Sequence, residues 1–199
     1  MVQKPAAFLD RDGVIIKEVD YLCRLEDMEI YPNAVEAIRL LNRNGFHVIV
    51  LTNQSAVARG FLSIQELEEI HAALHHSMAR YDAHIDRIYY CPHHPNFGPP
   101  HLQIQCTCRK PRIGMINKAA EEFLIDMKRS FVIGDHWSDI ELALNAGLVG
   151  VMVRTGHGRE EIRRHIPAFI TLMKGYHISN HALGGVRWIL RRKRGHIVP

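Results

Sequence analysis

The chain has 199 residues, of which 47% are hydrophobic and 23% are charged. This composition is typical of a soluble globular protein, and the length favours a single domain over residues 1–199. The formal net charge is +4, but a basic tail at about 187–199 holds five Lys or Arg residues and no acid. The remainder is close to neutral, which argues against a nucleic-acid-binding face over the whole body.

Two sequence features bear on where the protein works. No run of about 18 apolar residues is present, so no membrane span is expected. The first residues lack the apolar core of a signal peptide. We therefore expect a cytoplasmic protein, a monomer by default, that binds a small molecule and neither nucleic acid nor membrane.

Predicted strands and helices alternate along the chain. Short apolar runs predict strands at 6–9, 48–51, 85–90, 131–133 and 149–153. Periodic apolar residues and end signals predict helices at about 33–44, 63–79, 115–124 and 138–146. A shorter strand-then-helix unit is expected from 169 to about 193.

Local signals mark several helix ends. Ser63 with Glu66 forms a capping box at the start of the second helix. Ser138 is expected to cap the fourth helix, and Gly147 is expected to end it.

This alternation predicts an α/β fold, with a doubly wound parallel sheet between two helical layers and no large cap domain. In such sheets, ligands bind beyond the carboxyl ends of the strands. Asp10 and Asp12 follow the first strand, Thr52 ends the second, and Asp135 follows the fourth. All four side chains are therefore expected on one rim of the sheet.

The predicted rim has the chemistry of a phosphoryl-transfer site. Oxygen ligands without a thiolate suit Mg²⁺, and the nearby Arg109 and Lys110 suit a phosphoryl group. Two carboxylates one residue apart can act as nucleophile and proton donor. The sequence thus predicts phosphoryl transfer to Asp10, followed by hydrolysis.

The loop at about 91–111 carries a second metal signal. Cys91 and His93 form one pair of ligand types, and Cys106 and Cys108 form another after twelve intervening residues. Three thiolates and an imidazole complete a closed tetrahedral set, which predicts a structural Zn²⁺.

Three further residues are interpreted as structural. His71 and His75 lie one turn apart on a predicted helix and are expected on a solvated face. Cys23 has no neighbouring ligand type in the sequence and is expected to be a core thiol.

Over about residues 6–158 the chain resembles the haloacid dehalogenase-like phosphatases. The stretches that carry this resemblance are Asp10-Arg11-Asp12-Gly13, Thr52, Lys110 and Gly134-Asp135-x-x-x-Asp139. The resemblance implies the fold of that family and an aspartyl-phosphate on Asp10. It also implies that Asp12 protonates the leaving oxygen and then activates water.

The same resemblance implies how the metal and the phosphate are held. Mg²⁺ would bind Asp10, the backbone carbonyl of Asp12, and Asp135, while Asp139 would support the metal shell from outside. Thr52 and Lys110 would bind the transferring phosphate.

Within that superfamily, residues 52–60, 89–95, 106–111 and 153–156 resemble the heptose 1,7-bisphosphate 7-phosphatases. This resemblance implies removal of a sugar phosphate in heptose supply for lipopolysaccharide or another surface glycan. The implied substrate-binding residues are Glu18, Tyr21, Thr52, Asn53, Gln54, Ser55, Arg59, Arg109 and Lys110.

The sequence departs from that family's pattern in two places. Ala56 and Val57 stand where the family usually has Gly-Ile, and His136 stands where a lysine is common. Both departures bear on substrate choice.

Other functions are weighed against this prediction. Histidinol-phosphate phosphatases share the zinc loop and remain the alternative. A phosphate-accepting receiver domain is disfavoured because the third predicted strand ends in Tyr90-Cys91. A kinase is disfavoured because no G-x-x-x-x-G-K-[ST] motif is present.

Overall fold

The computed structural model describes residues 2–171 and 175–193, and its strands form one parallel sheet in the order β3-β2-β1-β4-β5-β6. The strands are β1 (Ala6–Leu9), β2 (His47–Asn53), β3 (Arg87–Cys91), β4 (Phe131–Gly134), β5 (Val149–Val153) and β6 (Tyr176–Ser179). Every neighbouring pair is parallel, and Leu9 of β1 lies between Val50 of β2 and Ile133 of β4. This architecture confirms the predicted fold class.

Helices connect the strands. They are α1 (Pro32–Arg43), α2 (Ser55–Ala58), α3 (Ile64–Arg80), α4 (Gly114–Glu122), α5 (Trp137–Asn145), α6 (Gly158–Arg164), α7 (Ile166–Thr171) and α8 (Ala182–Lys193). Two 3₁₀ turns lie at Leu25–Asp27 and Met127–Arg129.

The central strand β1 is fully buried because apolar side chains cover both faces of the sheet. Ala7 and Leu9 pack in a core that includes residues of α1, α3 and α8. Ala6 and Phe8 point to the other face and pack with residues of α4 and α5. A strand buried on both sides needs a continuous apolar run, which is why β1 was predictable from its sequence.

Several predicted boundaries need correction. The second strand, predicted at 48–51, runs from His47 to Asn53, and Ser55 begins α2. The third strand begins at Arg87, because the Asp86 side chain accepts the hydrogen bond of the Val48 N–H at 2.8 Å.

Two further corrections concern the second half of the chain. Phe169, expected in a strand, lies in α7, where Pro167 occupies the first turn. The last strand is β6, further along the chain. The capping box of Ser63 and Glu66 is confirmed, whereas Ser138 lies inside α5 and does not cap it.

The basic tail falls partly within the structure. Arg187, Arg191 and Arg192 are exposed on α8, as expected for a solvated helix end, while residues 194–199 lie outside the described residues. Within the described ranges, no helix is both long enough and apolar enough to cross a bilayer. The single domain, the monomeric state and the absence of a nucleic-acid partner remain predictions.

Candidate active site

A cavity of about 550 Å³ opens at the carboxyl ends of β1, β2 and β4. It is lined by most of the residues predicted from the sequence: Asp10, Asp12, Glu18, Tyr21, Thr52, Asn53, Gln54, Ser55, Arg109 and Lys110. Asp135 and Asp139 are fully buried at the same rim. The structure thus brings together residues that are up to 129 positions apart, because parallel strands end on one side of their sheet.

Lys110 is the cation at the centre of this site. Its Nζ lies 2.9 Å from Asp10 Oδ2 and 2.7 Å from Asp139 Oδ1, and it donates to the carbonyl of Leu51 at 3.0 Å. Burial lowers the pKa of Lys110, but the two carboxylates outweigh this effect and raise it above its usual value. Lys110 is therefore charged at any physiological pH.

Asp10 is buried with that lysine. Burial raises the pKa of Asp10 to about 6; Lys110 acts to lower it, and the carboxylates of Asp139 and Asp12 act to raise it. The other carboxylate oxygen, Oδ1, accepts the N–H of Arg11 at 2.7 Å. At neutral pH the ionised form, which is the nucleophilic form, predominates.

Asp135 is held by polar groups on both of its oxygens. Oδ1 lies 2.9 Å from His136 Nδ1, and Oδ2 accepts the N–H of His157 at 2.8 Å. Gly13 and Gly156 approach the same carboxylate so closely that a Cβ on either would lie 2.1 Å from Oδ2. Both glycines also have positive φ, so the carboxylate's position depends on glycine at these two sites.

His136 has an altered pKa next to this carboxylate. Burial lowers the pKa of its imidazole, but the hydrogen bond to Asp135 and the charges of Asp139 and Asp10 raise it to about 9. The position that departs from the family pattern therefore still carries a cation at the rim.

Asp12 faces the cavity from the opposite side. Arg11 Nε lies 3.1 and 3.2 Å from the two Asp12 oxygens, and Gln54 Nε2 donates to Oδ2 at 3.0 Å. Gln54 also donates to Thr52 Oγ1 at 2.7 Å. The Gln54 amide, predicted to bind substrate, is thus occupied by protein partners.

The donor chemistry of the rim fits a magnesium ion. Ligand-type atoms of Asp10, Asp135, His136 and Asp139 lie within 4.8 Å of one another. The oxygens of Asp139 are already engaged by Lys110 and by the N–H of His136, at 2.7 and 3.1 Å. Each oxygen of Asp10 and Asp135 likewise has one partner, and a carboxylate oxygen can bind a second. Three buried carboxylates opposed by Lys110 and His136 leave an excess of negative charge, which favours a divalent cation.

The residues of the predicted zinc site also converge. Sγ atoms of Cys91, Cys106 and Cys108 lie 3.1–3.4 Å apart, and His93 Nδ1 lies 3.3 Å from the Sγ of Cys108. Tetrahedral zinc with bonds of about 2.3 Å places its sulfur ligands about 3.8 Å apart. The four ligand atoms therefore fit zinc after a movement of a few tenths of an ångström.

The thiols of this cluster also influence one another. The hydrogen bond from Cys91, followed by contacts with Cys106 and His93, lowers the pKa of Cys108 to about 5, while the same pairing raises the pKa of Cys91. A thiolate is thus already favoured at one position, which suits metal binding. Cys23 lies apart from the cluster and packs, half-buried, against the main core.

Arg59 lies outside the lining of the cavity, although it was predicted to bind substrate. Its guanidinium lies 4.0 Å from the Phe97 ring centroid and 5.8 Å from that of Tyr21. The Tyr21 and Phe61 rings pack edge to face at 5.2 Å. Arg59 therefore contacts both the loop at 91–111, which contains Phe97, and the cavity wall, which contains Tyr21.

Sequence reasoning missed two groups of the site. His71, expected on a solvated face, is buried and lies 3.1 Å from Arg11 NH1. His157 lines the cavity beside Glu18, with 3.9 Å between His157 Nε2 and Glu18 Oε2. A glycine-flanked turn at 156–158 was the available signal for His157. The signal for His71 was its position on the apolar stripe of α3, four residues after Leu67 and three before Leu74.

Comparisons with known proteins identify the family of this chain. A haloacid dehalogenase-like hydrolase model matches residues 7–77, and a HAD-hydrolase-like model matches residues 107–172. D-glycero-β-D-manno-heptose-1,7-bisphosphate 7-phosphatase of Escherichia coli K12 is 39% identical over 153 residues, which cover 76% of this chain and 80% of the relative. The corresponding α-anomer enzyme of Photorhabdus laumondii is 38% identical, over 78% of this chain and 85% of the relative.

Among solved structures, the D,D-heptose 1,7-bisphosphate phosphatase of B. bronchiseptica, complexed with magnesium and phosphate, superposes with a TM-score of 0.82. That match has 28% identity and covers 94% of this chain and 99% of the other. The chain therefore belongs to the haloacid dehalogenase-like hydrolases, and within them to the family of the heptose 1,7-bisphosphate 7-phosphatases.

Proposed function

We propose that this chain is a Mg²⁺-dependent phosphatase that removes the 7-phosphate of D-glycero-D-manno-heptose 1,7-bisphosphate. The observation that carries the proposal is the position of Asp10. It lies on the cavity floor, paired with Lys110 and beside the buried Asp135. A cavity of about 550 Å³ is within the usual range for protein sites that bind small molecules.

In the first step, a carboxylate oxygen of Asp10 attacks phosphorus, and the bond from phosphorus to the sugar oxygen breaks. The departing sugar oxygen takes a proton from Asp12, because an alkoxide is a poor leaving group. The products are the heptose monophosphate, with a free hydroxyl at carbon 7, and an aspartyl-phosphate on Asp10. Lys110 and the Thr52 hydroxyl stabilise the charge on the transferring group.

In the second step, Asp12 accepts a proton from water as the water oxygen attacks phosphorus. The bond between phosphorus and the Asp10 oxygen breaks, which releases inorganic phosphate and restores the Asp10 carboxylate. Asp12 is protonated again and ready for the next leaving group. One residue thus acts as acid and then as base.

The metal-binding residues complete the proposal. Asp10, Asp135 and the backbone carbonyl of Asp12 would hold Mg²⁺, with Asp139 fixing Lys110 beside them. Mg²⁺ bound there would offset phosphate charge and orient the transferring group. Cys91, His93, Cys106 and Cys108 would hold a structural Zn²⁺.

Residues on the outer wall of the cavity, away from Asp10, would bind the second phosphate and the sugar. Arg109 lines this wall, with its NH1 donating to the carbonyl of His93 at 3.0 Å. Glu18 and Tyr21 line the wall contributed by the loop after β1. Their hydrogen-bonding groups suit a polyhydroxylated substrate more than the imidazole of histidinol phosphate.

The test is a phosphate-release assay with Mg²⁺ on a defined substrate set. The set contains both anomers of heptose 1,7-bisphosphate, a hexose bisphosphate and histidinol phosphate. We expect the highest kcat/KM for a heptose bisphosphate, with phosphorus NMR showing loss of the 7-phosphate alone. Preference for histidinol phosphate would replace the substrate assignment, and the absence of phosphate release from every compound would refute the proposed function.

A further inference from the structure

Arg11 is one of the largest fully buried side chains of the protein, with 1% of its surface exposed. Each of its guanidinium nitrogens has a side-chain partner. Nε and NH2 lie 3.0–3.2 Å from the Asp12 oxygens, NH2 donates to Gln54 Oε1 at 3.0 Å, and NH1 lies 3.1 Å from His71 Nε2. These partners leave the guanidinium poorly placed to bind substrate, although it borders the cavity.

His71 supports Arg11 from the side away from the cavity. Because a guanidinium can only donate, His71 Nε2 must accept, and the ring must be neutral. Burial and the charge of Arg11 lower the pKa of His71 to about 3, in agreement with that geometry. The ring also packs against Tyr90, with 5.4 Å between centroids, and Tyr90 donates to Glu68 at 3.0 Å.

The contacts form one chain from α3 to the cavity: His71, then Arg11, then Asp12. Asp12 is the member that reaches solvent, with 21% of its side chain exposed. A guanidinium that meets a carboxylate through two nitrogens fixes the plane of that carboxylate as well as its distance. The step assigned to Asp12 in the proposed function needs such an orientation twice, towards the leaving oxygen and then towards water.

On the basis of that proposed function, we propose that Arg11 and His71 are positioning residues for the proton transfers of Asp12. Arg11 orients the carboxylate, and His71 keeps Arg11 in place. Neither side chain gives or takes a proton in the proposed reaction. The Arg11 guanidinium reaches the proton-transferring carboxylate directly and through Gln54, so the effect of His71 on turnover passes through Arg11 to Asp12.

A double-mutant cycle tests this relation. His71→Phe keeps an aromatic ring but removes the acceptor for Arg11. We expect kcat to fall by about tenfold with KM changed by less than about twofold, as expected for loss of a hydrogen bond to a charged group. In an Asp12→Asn background, which itself loses about 10²- to 10⁴-fold, His71→Phe should cause no further loss.

Two matched variants control for packing. His71→Gln restores an acceptor and should return kcat to within about threefold of wild type. His75→Phe, one turn further along α3, breaks only a hydrogen bond to the carbonyl of Ile85 and should leave kcat unchanged. Circular dichroism and thermal unfolding establish that each variant is folded.

A second double-mutant cycle, between Arg11 and Asp12, leaves His71 unchanged. Arg11→Lys keeps the positive charge but cannot reach Asp12 and His71 together, so kcat should fall by at least about tenfold, and only when Asp12 is present. The cycle is run on the phosphomonoester that the wild type hydrolyses fastest. A wild type without phosphatase activity would refute the proposed function, whereas additive losses, or a wild-type kcat in His71→Phe, would refute the positioning role alone.

Discussion

Lys110 lies between two carboxylates, with its Nζ 2.9 Å from Asp10 and 2.7 Å from Asp139. Side-chain exposure is 3% for the lysine, 9% for Asp10 and 1% for Asp139. A buried cation shared by two anions both positions Asp10, the proposed nucleophile, and balances its charge. It therefore couples the stability of the protein to the chemistry of its site.

Lys110→Met should reduce stability and abolish turnover. Removing one partner from a buried ion pair leaves uncompensated charge and costs about 3–5 kcal/mol. Urea unfolding at neutral pH measures this loss, and the exposed Lys128→Met is the matched control. A double variant with Asp139→Asn should recover part of the stability but none of the activity. A Lys110→Met protein as stable as wild type would contradict the role of this pair.

Asp10→Asn should lose nearly all phosphate release and remain folded. The amide cannot attack phosphorus, whereas its shape and its hydrogen bond with the N–H of Arg11 are retained. Rapid quenching with labelled substrate should find phosphorylated protein in the wild type and none in the variant. The exposed Asp27→Asn serves as the control, and turnover at the wild-type rate in Asp10→Asn would exclude Asp10 as nucleophile.

The purified protein should contain about one zinc per chain. Cys106→Ser should lose the metal and unfold at a lower temperature, because structural zinc contributes to folding free energy. Elemental analysis and thermal unfolding provide the measurements. Cys23→Ser, outside the cluster, should keep its zinc, and a zinc-free wild type with four freely titrating thiols would rule out the site.

Glu18 should make stability depend on pH when Mg²⁺ is omitted. Burial and the charges of Asp12 and Asp135 raise its pKa from 4.5 to about 7. The folded state therefore holds this proton more tightly than the unfolded chain. The contribution to the free energy of unfolding is complete below pH 4.5 and is lost as the pH rises through about 7.

Glu18→Gln removes that titration. The variant should match the wild type at pH 4 and be more stable at pH 8, by at most about 3.5 kcal/mol at 1.4 kcal/mol per pKa unit. Chemical denaturation at a series of pH values measures the difference. Glu121→Gln, at an exposed position, should leave the pH profile unchanged, and parallel profiles for wild type and Glu18→Gln would contradict the prediction.

Arg59→Met should weaken substrate binding without slowing chemistry. Arg59 contacts Tyr21, which lines the cavity, and a cation–π contact at an exposed position is worth about 0.5–1 kcal/mol. Releasing Tyr21 should therefore raise KM by about two- to fivefold. We expect kcat to stay within about twofold of wild type. Steady-state kinetics test this against Arg43→Met on α1, and a fall in kcat at unchanged KM would point to a different role.

The sequence allowed much of the fold and the centre of the site to be predicted. The bounds of β1 and β5 were predicted to the residue, and each strand is a short apolar run that ends at a charged residue, Asp10 or Arg154. Asp10, Thr52 and Asp135 were placed on one rim because parallel strands leave no other arrangement of their carboxyl ends.

The parts that could not be predicted depend on contacts between distant segments. His71 lies on the apolar stripe of α3, between Leu67 and Leu74, but its polar partner is Arg11, 60 positions earlier. Arg59 resembled a substrate ligand in sequence, but its environment is made by Phe97 and Tyr21 from two other loops. A pattern along the chain does not reveal such partners.

The zinc loop, at 91–111, is anchored at two points. These anchors limit where its length and composition can change. At its base, Cys108 precedes Arg109 and Lys110 without a spacer, so an insertion there would displace Lys110, which pairs with Asp10 and Asp139. At its tip, Gly98 packs so tightly on Ala58 that a Cβ would lie 2.5 Å from the Ala58 carbonyl oxygen. Residues 99–101 and 103–105 are exposed between these anchors. Changes of length and composition that alter substrate range at little cost to the catalytic centre should accumulate in that span.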